Sequence, residues 1–368
     1  MNNPGRFWRN FDWIMAGTVL ALMAIGILVI WSTSFKATTL ASNGDTIKQL
    51  IGAVLGSIVM IVVSRIDYRL WGRLAPYFYG ITVILLVAVL FSHAVLGAQR
   101  WIPLGPIQLQ PSELAKLALI ISLSRFLSKQ YDRLSSWRYL AVSLLYLAVP
   151  MALVLRQPDL GTALVLGFTW LTMILVSRIS KKQLAVLGGI GLACLPFLIS
   201  HLKDYQKSRL TVFLNPQSDP LGAGHNVIQS TITIGSGQLF GRGLAAGSQS
   251  QLNFLPQLAQ HTDFIFAVLG EKLGFVAGAL LIGLFGVLIW RGLTIAYRAT
   301  DRFGFFVATG VTAMFFCHIF INIGMNMALA PVTGIPLPFV SYGGTALLID
   351  LVAVGLLQSI ATRRQKSD

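Results

Sequence analysis

Apolar runs of about 17–25 residues recur along most of this chain, the length a helix needs to cross about 30 Å of hydrocarbon. Nothing else in the sequence narrows its fold as much. Only 11% of the residues are charged and 55% are hydrophobic, whereas a soluble protein carries about 25% charged residues. Too few polar side chains remain to clothe a soluble core. The chain therefore reads as an all-α polytopic membrane protein of about ten transmembrane helices. The spans fall at 11–32, 47–66, 78–96, 113–128, 137–155, 161–178, 183–201, 263–290, 304–330 and 339–361. Residues 1–368 form a single integral membrane domain, with a long external loop at about 202–262 between the seventh and eighth spans. The first span is too long for a signal peptide and lacks a small-residue cleavage site. Cys194 and Cys317 both sit within spans, so no disulfide framework is expected.

The formal net charge is +15, and its distribution gives it meaning. Arg65, Arg69 and Arg73, then Arg125, Lys129, Arg133 and Arg138, then Arg178, Lys181 and Lys182, then Arg291, Arg298 and Arg302 occupy alternate connections. Arg6, Arg9, Arg363, Arg364 and Lys366 flank the ends, whereas the opposite short connections hold only Lys36, Lys48, Arg100 and Arg156. This is the positive-inside bias, and it predicts that both termini are cytoplasmic. The basic clusters are accounted for by topology and contact with anionic membrane lipids. No nucleic acid partner is expected.

The external connections are the distinctive ones. The long loop is rich in Gly, Ser, Gln and Asn, and loops of that length are usually functional or disordered. Its GSGQLFGRG stretch (235–243) lacks the strand and lysine of a phosphate-binding loop and is expected to turn tightly over the membrane surface. His93, His201, His225, His261 and His318 are scattered and read as polar interface residues, and no His/Cys cluster has zinc-site spacing. Setting the topological charges aside leaves Glu113, Lys116, Asp159, Asp263, Glu271, Lys272 and Asp350 within or beside spans. Intramembrane ionisable residues usually face a cavity. Glu113 and Lys116 stand at i,i+3 on one helix face. They either neutralise each other or line a cavity, and reversing both charges should then recover part of what either single change loses. Asp159 and Asp263 are helix-cap candidates as well as cavity acids. A cap does not explain Glu271 or Lys272, so a polar cleft open to the outside is the simpler account of Asp263, Glu271 and Lys272 together.

The stretches RWIPLGPIQLQPSELAKL, RQPDLGTALV, FLPQLAQHTDFIFAVLGEKLGF and NIGMNMALAPVTGIPLPFVSYGGTALL resemble the SEDS (shape, elongation, division and sporulation) family, in its order and over essentially the whole chain. The form PVTGIP favours its elongation branch. The resemblance implies a peptidoglycan glycosyltransferase of the bacterial cytoplasmic (inner) membrane. Its substrate would be lipid II, an undecaprenyl-pyrophosphate-linked disaccharide peptide, polymerised into β-1,4 glycan at the outer face. It also implies that Asp263 is the essential aspartate, with Glu113, Lys116 and Asp159 at supporting positions. The implied partners are a class B penicillin-binding transpeptidase and a rod-shape complex with MreC and MreD. Gln257 stands where the family often has Glu, and Lys272 where it often has a second Glu. Asp350 matches no family position.

The transfer needs a base for the attacking sugar hydroxyl, for which Asp263 is the candidate, and cations for the departing pyrophosphate. Lys116, Arg209 and Arg100 are the outer-side cations, with or without a divalent ion such as Mg or Mn. Glu271 and the Glu113–Lys116 pair would support the cavity. A lipid II flippase is the alternative of a different class, and a partner-docking scaffold a third. Against transport, no inverted repeat with paired broken spans is evident. A scaffold leaves the intramembrane acids without a purpose.

Overall fold

The computed structural model describes residues 4–34, 44–92, 100–104, 107–200, 204–219, 223–244 and 257–363. Lys36, His93, His201, Arg364 and Lys366, and part of the 202–262 loop, lie outside these residues. The regular structure of the described residues is helical apart from one short hairpin. Its helices are α1 (Pro4–Asn10), α2 (Trp13–Ser34), α3 (Gly44–Arg65) and α4 (Tyr68–Val89). The antiparallel hairpin β1 (Ile102–Leu104) and β2 (Ile107–Leu109) follows, with Ile102 opposite Leu109. Then come α5 (Pro111–Lys129), α6 (Trp137–Arg156), α7 (Leu160–Leu175) and α8 (Lys181–Ser200). The 202–262 segment contributes α9 (Asp204–Leu214), α10 (Ala223–Ser236) and the short α11 (Gln257–Gln260). Finally α12 (Ile265–Tyr297), α13 (Arg302–Asn326) and α14 (Gly344–Thr362) complete the bundle.

Seven of these helices, α2, α3, α4, α6, α12, α13 and α14, are long and apolar enough to cross a membrane. This is a multi-pass membrane protein. Helices α5, α7 and α8 stand where three further spans are expected, but α5 carries Glu113, Lys116, Arg125 and Lys129, and α7 has only 16 residues. The reason α5 can be polar is its position. Every residue from Ala115 to Ser124 is buried, against α4, α7 and α13, so protein rather than lipid surrounds it. The third predicted span also moves. The helix there is α4, which starts at Tyr68 because Asp67 accepts a bond from the Arg69 amide (2.9 Å), drawing Arg69 and Arg73 into its first turns.

Close helix approach relies on small residues, as expected where lipid supplies no hydrophobic drive between spans. A Cβ on Gly355 of α14 would stand 2.8 Å from the Met60 carbonyl oxygen of α3. At the opposite end from the hairpin, buried Asp12 ties three helices together. It accepts from the Met15 amide of α2 (3.0 Å) and pairs with Arg291 of α12 (Nη2 to Oδ2, 2.5 Å). Its backbone N–H and carbonyl both bond the side chain of Gln358 of α14 (2.9 Å each).

The GSGQLFGRG stretch departs from its expectation. It does not merely turn over a surface; it fills a break in α12. Gly274 has φ 74° and ψ −172°, a conformation essentially confined to glycine, and the helix is interrupted there. The freed backbone groups bond the turn. Arg242 and Gly243 amides donate to the Glu271 and Lys272 carbonyls (2.9 and 3.0 Å), and Phe275 and Val276 amides donate to Gln238 and Leu239 (2.8 and 3.1 Å). Backbone at membrane depth is tolerated only with such partners. Gly274→Ala is expected to lower stability by about 1–3 kcal/mol for the backbone strain alone, read as a fall in the melting temperature of the detergent-solubilised protein. Its Cβ would also meet the backbone of Leu239 and Gly241.

Candidate active-site cavity

The loop 331–343, PVTGIPLPFVSYG, and the segment 261–263 hold each other. Ser341 Oγ donates to the Thr262 carbonyl (2.6 Å) and accepts from the Leu337 amide (2.8 Å). The Tyr342 amide donates to the His261 carbonyl (2.8 Å), and Gln49 of α3 donates to the Ser341 carbonyl (3.1 Å). Two asparagines one helical turn apart on α13 finish the clamp. Asn322 and Asn326 Nδ2 donate to the Asp263 backbone carbonyl (3.1 and 2.9 Å), and Asn322 also donates to the Ile335 carbonyl (2.7 Å). Both asparagines are fully buried. The main chain of Asp263 is thus anchored without use of its carboxylate.

That carboxylate faces a cavity of about 190 Å³, also lined by Arg100, Glu113, Asp159 and His318. Gly334 (φ 73°) keeps the approach open, since a Cβ there would stand 3.4 Å from Asp263 Oδ2. The capping alternative for Asp263 does not hold: Phe264 occupies the N-cap position of α12, with no side-chain cap bond. Asp159 does cap. Its oxygens accept from the Thr162 amide (3.1 Å) and hydroxyl (2.9 Å) while the side chain lines the cavity. Arg100 is aimed by backbone, its guanidinium donating to the Gln157 carbonyl (3.0 Å) and to Pro158.

Desolvation raises the Asp263 pKa to about 6. Arg209 of α9, a hydrogen bond with Thr262, and Arg100 pull it down, and Asp159 pushes it up. A base works only when ionised, so an activity limited by Asp263 should climb about tenfold per pH unit below about 6 and level off above it. A flat pH–rate profile from pH 5 to about 7.5 would remove that role.

Below the cavity, Glu113 and Lys116 form an ion pair at 2.7 Å with each side chain only 3% exposed. The pair is not isolated. Lys116 Nζ also lies 2.9 Å from His318 Nε2. An ammonium has no lone pair, so Nε2 accepts and the imidazole proton rests on Nδ1. Asp350 of α14, buried, feels the charges of both Lys116 and Glu113. Sequence spacing does not bring His318 or Asp350 to this pair; both come from helices distant along the chain.

Of the sequence candidates, Asp263, Glu113, Asp159 and Arg100 share the cavity, Lys116 supports it through Glu113, and Arg209 acts on Asp263 electrostatically. Glu271 does not join them. It is completely buried near the break in α12, with its carbonyl bonded to Arg242, and Lys272 Nζ donates to the Leu244 carbonyl (3.1 Å). One cleft therefore does not explain Asp263, Glu271 and Lys272 together. Both residues instead engage the 237–244 turn, Glu271 through its carbonyl and Lys272 through its ammonium. Sequence reasoning missed Asn322 and Asn326, whose signal was two amides at i,i+4 inside an otherwise apolar span.

A family model covering the cell cycle proteins FtsW, RodA and SpoVE matches residues 12–366. The chain belongs to the FtsW/RodA/SpoVE family. Within it, the peptidoglycan glycosyltransferase MrdB of Escherichia coli K12 is 41% identical over 371 residues, covering 99% of this chain and 98% of the relative. Stage V sporulation protein E of Bacillus subtilis is 38% identical over 357 residues, covering 95% and 96%. Among solved structures, one of a peptidoglycan synthase complex that coordinates polymerization and crosslinking matches with TM-score 0.81 at 29% identity, over 95% of this chain and 97% of that one. Thermus thermophilus RodA matches with TM-score 0.72 at 27% identity, over 97% and 98%.

Proposed function

We propose that this FtsW/RodA/SpoVE member is a peptidoglycan glycosyltransferase that polymerises lipid II during cell elongation. The observation that carries the chemistry is the Asp263 carboxylate, freed from any capping duty and facing a cavity that Arg100 and Asp159 share. Asp263 takes the proton from the attacking sugar hydroxyl. Arg100 and Arg209 offset the charge that develops on the departing pyrophosphate. The Lys116–Glu113 pair, extended by His318, holds the cavity wall in place.

The topology that suits this reading has ten crossings, the seven apolar helices together with α5, α7 and α8. Both termini then lie in the cytoplasm of a bacterial cell, the 202–262 loop and the Asp263 cavity face outward, and residues 1–368 make one domain. The chain would work with a class B penicillin-binding transpeptidase, and with MreC and MreD in the rod-shape complex. Among the described residues no group of three or more His, Cys, Asp or Glu side chains is arranged to hold a metal ion. A divalent cation arriving with the substrate would be shared by Asp263, Asp159 and the phosphates, the usual way Mg is held.

The decisive experiment incubates purified protein with lipid II, with and without the transpeptidase, and sizes the glycan on a gel. Long glycan is expected. Transfer of lipid II across vesicles without any polymer would make the chain a flippase instead.

A further inference from the structure

Helix α5 leads from the Asp263 cavity to a second site of opposite charge. Lys129 lies 16 residues beyond Glu113, about 24 Å along a helix. There Arg125 and Lys129 of α5 meet Arg69 and Arg73 of α4 around a cavity of about 280 Å³, with Ser128 and Phe303. Arg125 also lines an adjoining cavity of about 530 Å³ between α4, α5 and α6, whose walls include Pro76, Tyr79, Val142, Leu145 and Val149. The two cavities share Arg125, so a cationic cavity stands beside a largely apolar one.

Pro76 of the apolar cavity lies one helical turn beyond Gly72 of the cationic one. A proline in a helix has no N–H, so the carbonyl four residues back loses its donor. That carbonyl is Gly72, and Arg125 supplies the missing bond, its Nη1 donating to the Gly72 and Arg73 carbonyls at 2.8 Å each. Neutral carbonyls fix the guanidinium but leave its charge unmatched. Asp301 pairs with Arg69 at 3.0 Å, whereas Arg73, Arg125 and Lys129 have no carboxylate at ion-pair distance among the described residues. Positive-inside topology requires cations on this face, but it requires neither a cavity nor a guanidinium pinned in its wall.

We propose that this double cavity binds one anionic phospholipid, its phosphate against Arg73, Arg125 and Lys129 and its acyl chain in the cavity behind Pro76. Basic pockets between transmembrane helices recognise such headgroups by charge. The site stands independently of the glycosyltransferase reading; only its assignment to the cytoplasmic leaflet rests on the topology proposed above.

The test uses the full chain in detergent with dioleoylphosphatidylglycerol, dioleoylphosphatidylcholine or inorganic phosphate, read by native mass spectrometry and by melting temperature. One phosphatidylglycerol should survive conditions that strip phosphatidylcholine, and should raise the melting temperature. Arg73→Gln with Lys129→Gln should lower that retention about tenfold or more, while Arg125 stays native so that α4 keeps its carbonyl bonds. Lys181→Gln with Lys182→Gln, the same charge change on the same face but outside the cavity, should have no such effect. Unchanged retention in the Arg73/Lys129 variant would overturn the site. So would equal loss in the Lys181/Lys182 control, which would reduce it to general surface charge. Stabilisation by phosphate alone, equal to that by the lipid, would assign the pocket to a free anion and overturn the acyl-chain half of the proposal.

Discussion

Asp263→Asn should lower glycan polymerisation from lipid II by about 10²–10⁴-fold, the usual contribution of a general base, while the protein inserts and melts normally. The two halves of this expectation come from different atoms. The backbone carbonyl of Asp263 is what Asn322 and Asn326 hold, and it is unchanged by the substitution. No cap is lost, because Phe264 occupies that position without side-chain help. An amide is nearly isosteric with the carboxylate but cannot accept the sugar proton. Relief of a desolvated carboxylate should, if anything, leave the folded state no worse off above pH 6, where the charge is present. Gel sizing of product beside a thermal melt checks both halves. Polymer at the native rate would move the base to Asp159, the other acid in reach of the cavity that is not paired with a lysine.

Lys116→Met should cost about 3–5 kcal/mol, because it leaves Glu113 buried without its cation. The loss should appear as a large drop in melting temperature and as loss of polymer. Adding Glu113→Gln should recover part of the stability, since a neutral pair no longer strands a charge. A double-mutant cycle of the two changes isolates the coupling. Exchanging the charges is a different matter. Spacing along α5 predicts partial recovery from the double reversal, but the folded protein places His318 Nε2 at 2.9 Å from position 116 and Asp350 within its electrostatic reach. Glu113→Lys with Lys116→Glu would lose the lysine that His318 accepts from and set a carboxylate within reach of a second acid, Asp350, so no recovery is expected. Recovery would show that His318 and Asp350 are uncoupled from the pair.

Much of this protein could be read without coordinates. Helical spans follow from local hydropathy, because lipid demands that each crossing satisfy its own backbone within about twenty residues. The family's motifs marked Asp263, Glu113, Lys116 and Asp159 directly, and the i,i+3 spacing of Glu113 and Lys116 sufficed to put them on one face. What depended on distant parts of the chain was not legible. Whether Asp263 caps α12 or faces a cavity was decided by two asparagines on α13 and a serine in the 331–343 loop. Glu271 follows Asp263 closely in the chain, yet its place inside α12, beside a glycine break and an inserted turn from 237–244, gives it another environment. Asp350 and His318 gained partners only when α13 and α14 packed against α5. Hydropathy and spacing report what each segment does with its own neighbours. The chemistry of a buried charge depends on which other helix presents its counter-charge, and that is settled by packing alone.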